Sequence, residues 1–309
     1  MKMPIFIFGS PRSGITLLEN ILGVHPELAW LSQYNNLYPK RARVSIFNRL
    51  FNIPVIGSTI YESAWKRKII GTHHLPIPTE AWNFWKTLLP NFKKGVEAMQ
   101  SSPPCAKDMS NNEVIAIQNI ISRLTHFQGK NRFFATYGDF PRIDYFSKAF
   151  PDALFIHLVR DGRAVCESYF RVNQLGHYNS WEERHLWFNN MPESWRESFY
   201  KQHYNIFSFS VYRWMYYLKL CSGESSHVPS HRYLQVSYED IIKDPIKSIK
   251  IIQTFANISH STKIERYIEK VPPINNNQKW RQALTQAQLD EFFQIVKEKQ
   301  YLDLLRDDI

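Results

Sequence analysis

The stretch that most constrains the fold is residues 4–20, PIFIFGSPRSGITLLEN. Residues 5–8 form a short apolar run, long enough for a buried strand. Gly9-Ser10-Pro11-Arg12-Ser13-Gly14 follows and reads as a turn-rich loop. From Ile15 to Leu22 the apolar residues fall at helical spacing, and Gly23 stops the run. Strand, glycine loop and helix in that order build an anion cradle. Backbone N–H groups of the loop and of the helix N-terminus converge there and favour phosphate or sulfate. The bland alternative is a corner that binds nothing. Two loop glycines, Arg12 and Thr16 with the correct flanks speak against it.

The spacing from Gly9 to Gly14 is that of the phosphate loop G-x-x-x-x-G-K-[ST]. Thr16 occupies the Ser/Thr position. Ile15 stands where the lysine belongs, and isoleucine cannot neutralise a γ-phosphate. The fixed cation is Arg12, inside the loop. The cradle is intact while the triphosphate machinery lacks a part, which points to a different anionic nucleotide.

Bulk charge agrees with an anionic partner. There are 38 Lys and Arg against 28 Asp and Glu, a formal net charge of +10. Such a balance suits an anionic ligand, an anionic membrane surface or nucleic acid. The cations fall in short groups (Lys40-Arg41-Arg43, Lys66-Arg67-Lys68, Lys93-Lys94) with no long basic block. Solvated charge plus one anion site is therefore favoured over nucleic-acid binding. Three widely spaced cysteines and no C-x-x-C argue against a disulfide framework and for a reducing, cytoplasmic setting. No apolar run approaches the ~20 residues of a membrane span. Because residues 5–8 read as the first strand, no cleavable signal is expected.

Further along, residues 28–31 read as a second short strand, and residues 44–51 as an amphipathic helix with Arg43 and Arg49 outside. Thr79 reads as the cap of a helix through Glu80, Trp82 and Trp85. Residues 111–127 give the clearest helix, with Val114, Ile117, Ile121 and Leu124 on one face. Residues 132–136 form a strand, and Asp139 and Pro141 open a helix. Residues 153–159 form an unbroken apolar strand of the kind buried in a parallel sheet. Its exit is Arg160-Asp161-Gly162, and a helix runs on from Arg163. Residues 177–206, aromatic and polar together, read as an insertion over a cleft. Residues 207–221 form a helix, 233–236 a last strand, and helices at 246–256 and 286–299 finish the chain. Alternating strands and helices imply an α/β fold, a parallel sheet flanked by helices, here read as one domain over 1–309.

With these residues in view the chain resembles the sulfotransferases that use 3′-phosphoadenosine-5′-phosphosulfate (PAPS). PRSGITLL resembles that family's 5′-phosphosulfate loop, and FPDALFIHLVRDGRAVCESYF its 3′-phosphate segment. In that segment an Arg at the strand end is followed eight positions later by a Ser, as Arg160 and Ser168 are here. The resemblance implies a P-loop-like three-layer sandwich, PAPS as donor and no metal. It assigns the donor to Arg12, Ser13, Gly14, Ile15, Thr16 and Leu17 at one end and to Arg160 and Ser168 at the other. Tyr238 becomes a wall for the adenine, or a core tyrosine; Lys279 a residue that reaches the nucleotide phosphates, or a solvated lysine.

Three departures stand out. The first Thr of the family's loop is Ile15. The lysine that the family often carries on the preceding strand is replaced at Thr136 or Tyr137, with Lys130 and Arg132 nearby. The Glu that protein-modifying members place after H-P-[DE] is absent from Trp30-Leu31-Ser32-Gln33. A general base is still needed. Glu80, set among Trp82 and Trp85, is the first candidate, or simply an acid favourable to a helix dipole. His74 is the second, since Thr72-His73-His74-Leu75-Pro76 echoes the T-H-L-P of cytosolic small-molecule enzymes. Arg12 would serve catalysis by neutralising the phosphosulfate. The acceptor is expected to be a carbohydrate, glycolipid or small molecule, with the aromatics of 177–217 and the Trp82/Trp85 pair suited to stacking on it, or, for most of them, to the core. The rivals are a non-catalytic adenosine 3′,5′-bisphosphate binder and a nucleotide phosphotransferase using Asp161 for a metal.

Overall fold

The computed structural model describes residues 2–53, 76–92, 104–174, 190–297 and 299–305. Five strands form one sheet: β1 (Lys2–Gly9), β2 (Leu28–Ala29), β3 (Arg132–Tyr137), β4 (Leu154–Val159) and β5 (Tyr233–Ser237). Their order is β2-β3-β1-β4-β5, and every pairing is parallel. The chain first steps from β1 to one side, for β2 and β3, and then crosses over β1 to β4 and β5. The carboxyl end of β1 is thus where the connections part, the place where open α/β sheets bind ligands.

Strand periodicity sorts the core into two layers. Ile5 and Ile7 of β1 join Phe134, Ile156 and Leu158 on one face, under helix α1 (Ile15–Gly23) and the helix Pro245–Ala256. Phe6 and Phe8 face the other way with Phe133, Tyr137 and Phe155, against the helices Trp82–Leu88, Asn111–Phe127 and Ile143–Ala149. Phe6 stacks on Phe146 at 4.1 Å between centroids, a contact worth about 1 kcal/mol beyond its buried area. A third cluster joins the helices Gly162–Gln174 and Ile206–Ser225 to Trp280, Phe292 and Tyr301 of the C-terminal region.

Several sequence expectations change in detail. Residues 42–52 form a 3₁₀ helix rather than an α-helix. With three residues per turn, its inward row is Ala42, Ser45 and Asn48, while Ile46 and Phe47 stand outside. Thr79 is not a cap: the helix begins at Trp82, and its cap is Ala81 at φ 49°. Glu80 therefore lies ahead of that helix, not in its first turn. Ile143 opens the next helix behind Arg142 at φ 50°. Within the stretch read as an insertion, residues 193–202 form a helix, and residues 175–189 lie outside the described residues. The helix Thr262–Lys270 adds to the elements read from the sequence; its buried Ile264, Tyr267 and Ile268 fall at helical spacing, with the charges on the other side.

The turn after β4 is held by buried charge. Asp161 is fully buried and accepts from Arg163 Nε and Nη2, the latter at 2.7 Å. The Arg163 guanidinium also lies 4.2 Å from the Trp280 ring centroid. Removing one partner of a buried pair strands the other. Arg163→Met is expected to lower stability by about 3 kcal/mol, read as a shifted urea midpoint against the unaltered chain. A change within about 0.5 kcal/mol, the range of ordinary surface substitutions, would show that Asp161 does not depend on Arg163.

Candidate functional site

The loop between β1 and α1 is shaped by two left-handed residues, Arg12 at φ 76° and Gly14 at φ 100°. Gly14 is doubly required. It adopts a conformation that disfavours a Cβ, and a Cβ there would lie 2.5 Å from Tyr238 Cδ2. Ser13 N–H donates to Ser10 O and Leu17 N–H to Gly14 O, both at 2.9 Å. The N–H groups of Gly14, Ile15 and Thr16 have no hydrogen-bond partner among the described residues. They are the donors that an anion at a helix N-terminus uses. Ser13 Oγ is buried without a partner. Arg12 and Thr16 are exposed, and Ile15 is buried.

The two ends of the predicted site meet. Arg12 Nε donates to Ser168 Oγ at 3.0 Å, across 156 residues of sequence. Arg160 Nη1 donates to the backbone carbonyl of Arg12 at 2.8 Å. Arg160 is 8% exposed and is seated by two residues that the sequence reading missed. Its Nε donates to Asn277 Oδ1 at 3.1 Å and its Nη2 to Asn276 O at 3.1 Å. A guanidinium has five N–H groups, so two remain for a ligand. Burial lowers the pKa of Arg160 from its ordinary value, against the opposing pull of Tyr238, Glu239 and Asp161. Asp161 is committed to Arg163, so it is neither the partner of Arg160 nor an open metal ligand.

Tyr238 is buried at the centre of this arrangement. Its ring packs against Gly14 on one side, lies 4.3 Å from the Arg160 guanidinium, and its hydroxyl donates to Ile274 O at 3.2 Å. Lys279 is exposed, two residues beyond Asn277. The only sequence signal for Asn276 and Asn277 is a run of three asparagines, which reads as a turn.

The candidate bases separate. His74 lies outside the described residues. Glu80 comes to the loop: a Cβ on Gly138 would lie 3.0 Å from Glu80 Oε1 and 3.9 Å from Pro11 Cα. Trp82 Nε1 donates to Glu80 Oε2, and Trp85 Nε1 to Glu80 O at 3.0 Å. The indoles thus hold the residue in place. Trp85 itself is fully buried against Phe84 and Phe92, so it cannot stack on an acceptor as the sequence suggested.

Neither nearby cation replaces the lysine missing from β3. Lys130 donates to Pro26 O at 2.6 Å and Arg132 to Met3 O at 2.8 Å, both at the start of β3, the far end from the loop. Thr136 instead donates its hydroxyl to Glu19 of α1. Glu19 is buried, and burial, with a smaller push from Glu80, raises its pKa from 4.5 to about 8.

The pattern of the sulfotransferase family matches residues 4–262, and the chain belongs to that family. Sulfotransferase STF9 from Mycobacterium avium superposes with a TM-score of 0.62 at 14% identity, over 100% of this chain and 78% of that one. Sulfotransferase STF1 from Mycobacterium tuberculosis H37Rv gives 0.54 at 16%, over 94% and 76%. The sulfotransferase domain of the Synechococcus PCC 7002 olefin synthase gives 0.50 at 21%, over 96% and 95%. At these identities the likeness is one of fold, and it agrees with the three-layer arrangement expected from the sequence. No curated protein sequence matches the chain.

The proton on Glu19 makes stability depend on pH in a defined direction. A carboxyl whose pKa is raised on folding binds more protons in the native state, so stability falls as pH rises from about 4.5 to about 8. Glu19→Gln keeps an acceptor for Thr136 and removes the titration. It is expected to match the unaltered chain at pH 5 and to exceed it at pH 8 in urea unfolding. Parallel curves at the two pH values would refute the buried proton.

Proposed function

We propose that this chain transfers the sulfuryl group of PAPS to an acceptor hydroxyl or amine. The observation that carries the reading is the pair of bonds joining the two motifs, Arg160 to the Arg12 carbonyl and Arg12 to Ser168. A ligand that is anionic at both ends fits such a site. Arg12 and the free N–H groups of Gly14, Ile15 and Thr16 would hold the 5′-phosphosulfate. Ser13 and Leu17 line the same turn, though their N–H groups are already bonded within it. Arg160, with two N–H groups to spare, and Ser168 would hold the 3′-phosphate, as guanidinium and hydroxyl donors do. Lys279 would close the rim. Tyr238 would flank the adenine side less as an open wall than as the packed support of Arg160 and Gly14.

Most of the chemistry is then positioning and charge stabilisation. Glu80 would take the acceptor proton. The acceptor oxygen or nitrogen forms a bond to sulfur while the bond from sulfur to the 5′-phosphate oxygen breaks. The electron pair leaves on adenosine 3′,5′-bisphosphate, where Arg12 and the loop N–H groups meet it. His74 would be the alternative base. A carbohydrate, glycolipid or small molecule would serve as acceptor, and no metal is needed because protein donors meet the leaving charge.

One observation favours a second reading, a non-catalytic binder of the bisphosphate: Thr136 and Glu19 fill the place of the usual lysine. A phosphotransferase finds less support, with Ile15 in the lysine position and Asp161 bound to Arg163.

Adenosine 3′,5′-bisphosphate at ~100 times its dissociation constant should stabilise the chain by about 2.7 kcal/mol, a melting-temperature rise of several degrees. Arg160→Ala should abolish the rise, and ATP with magnesium should give none. A response to ATP alone would reject the sulfotransferase chemistry.

With labelled PAPS and an acceptor library, Glu80→Gln should lower kcat by about a hundredfold or more while leaving bisphosphate binding intact. Binding without turnover in the unaltered chain would instead favour the binder. Turnover unchanged by Glu80→Gln would remove Glu80 as base.

A further inference from the structure

Twelve large apolar side chains stand exposed on the described surface, and five of them fall within residues 37–53. They are Leu37, Tyr38, Ile46, Phe47 and Ile53, with Leu37 54% and Phe47 50% exposed. The 3₁₀ helix Ala42–Asn52 is inverted relative to ordinary amphipathic structure. Its inward row is small or polar and tied down: Asn35 Nδ2 donates to Ser45 Oγ at 2.8 Å, and Asn48 Nδ2 to Trp30 O at 3.2 Å. Ile46 and Phe47 face outward, with Val44 and Leu50 half-buried. Helix α2 (Gln33–Leu37) shares that face, since the Tyr34 and Phe47 rings lie 5.4 Å apart.

The charge along this segment has one sign. Between Glu27 and Glu62 there is no acidic residue, while Lys40, Arg41, Arg43 and Arg49 all lie there. Lys40, Arg41 and Arg43 are exposed, and the Arg41 guanidinium is 5.7 Å from the Tyr38 ring centroid. Exposed aliphatic and aromatic groups among unopposed cations are what an interfacial surface presents to a bilayer. A second copy of the chain is disfavoured, because a two-fold contact would set these cations against one another. Nucleic acid would engage the cations but leave Leu37, Ile46 and Ile53 without a role.

We propose that this face docks the protein onto an anionic lipid bilayer. No helix among the described residues is long and apolar enough to cross a membrane, so the attachment is peripheral. The segment leading to Glu80 is stitched along the same elements. Thr79 N–H donates to Leu31 O at 2.9 Å, and the Asn83 side chain donates to Asn36 O at 2.7 Å. A bilayer here would lie beside the acceptor side of the site. That last point rests on the proposed transfer reaction, whereas the docking does not.

The test is sedimentation of the purified full chain with phosphatidylcholine vesicles, with and without phosphatidylserine. The expected result is at least about tenfold stronger partitioning onto the anionic vesicles, weakening as salt is raised. Arg41→Glu with Arg43→Glu should lose most of that gain. Ile46→Ser with Phe47→Ser should lose binding even at low salt. Both double variants should keep the parent melting temperature and the parent response to adenosine 3′,5′-bisphosphate. Should one pair lower the melting temperature, the other pair and the salt series decide the outcome. Equal binding to both vesicle types, or undiminished binding by the variants, would overturn the proposal. So would a lipid-independent dimer dissolved by Phe47→Ser, or retention on an oligonucleotide without retention on vesicles.

Discussion

The hydrogen bond from Arg160 to the carbonyl of Arg12 is the contact on which the site depends. It ties the exit of β4 to the loop that leaves β1, two points 148 residues apart in the chain. A buried guanidinium is costly unless its donors are met. Here the Arg12 carbonyl and two asparagines meet three of them and leave two for a ligand. The Tyr238 ring fills the space between Arg160 and Gly14, so the glycine, the tyrosine and the arginine fix one another. Replacing any of the three disturbs the other two.

Around that contact the charges are paired with care for which ones stay available. Asp161 is taken up by Arg163, and its N–H donates to Glu239 Oε1 at 3.0 Å, while both carboxylates favour the charged form of Arg160. On the other side of the loop Glu19 is kept protonated near neutrality by burial, and Thr136 donates to it. The acid that reaches the loop is Glu80, held by two indole N–H groups. Two carboxyl groups thus lie near one loop in different surroundings, one sealed in the core and the other held by indole N–H groups.

Sequence legibility follows the range of the forces involved. The strands and α1 are readable because period-two and period-3.6 patterns report directly which face is buried. The loop is readable because glycine at a left-handed position has few substitutes. At residues 42–52 the apolar stripe predicts an inward face, and the structure turns Ile46 and Phe47 outward over a row of Ala42, Ser45 and Asn48, with Val44 and Leu50 half-buried. Thr79 fails as a cap because the helix starts only at Trp82, behind a left-handed Ala81, while the Thr79 N–H pairs with Leu31 O at the exit of β2. Trp85 looks like a ligand platform and is core, since aromatic residues serve both purposes equally well in a sequence.

The sequence by itself determined the alternating strand and helix order and the glycine loop between β1 and α1. These follow from local spacing, which chain geometry converts into structure without help from distant residues. Only the tertiary structure decided that Asn276 and Asn277 seat Arg160, that Thr136 answers to Glu19, that Asp161 belongs to Arg163, and that Glu80 reaches the loop while Lys130 and Arg132 lie at the opposite end of the sheet. Most of those are contacts between residues far apart in the chain. Their partners are chosen by burial, which leaves no polar group unmatched where a partner can be found, and burial is a property of the packed molecule.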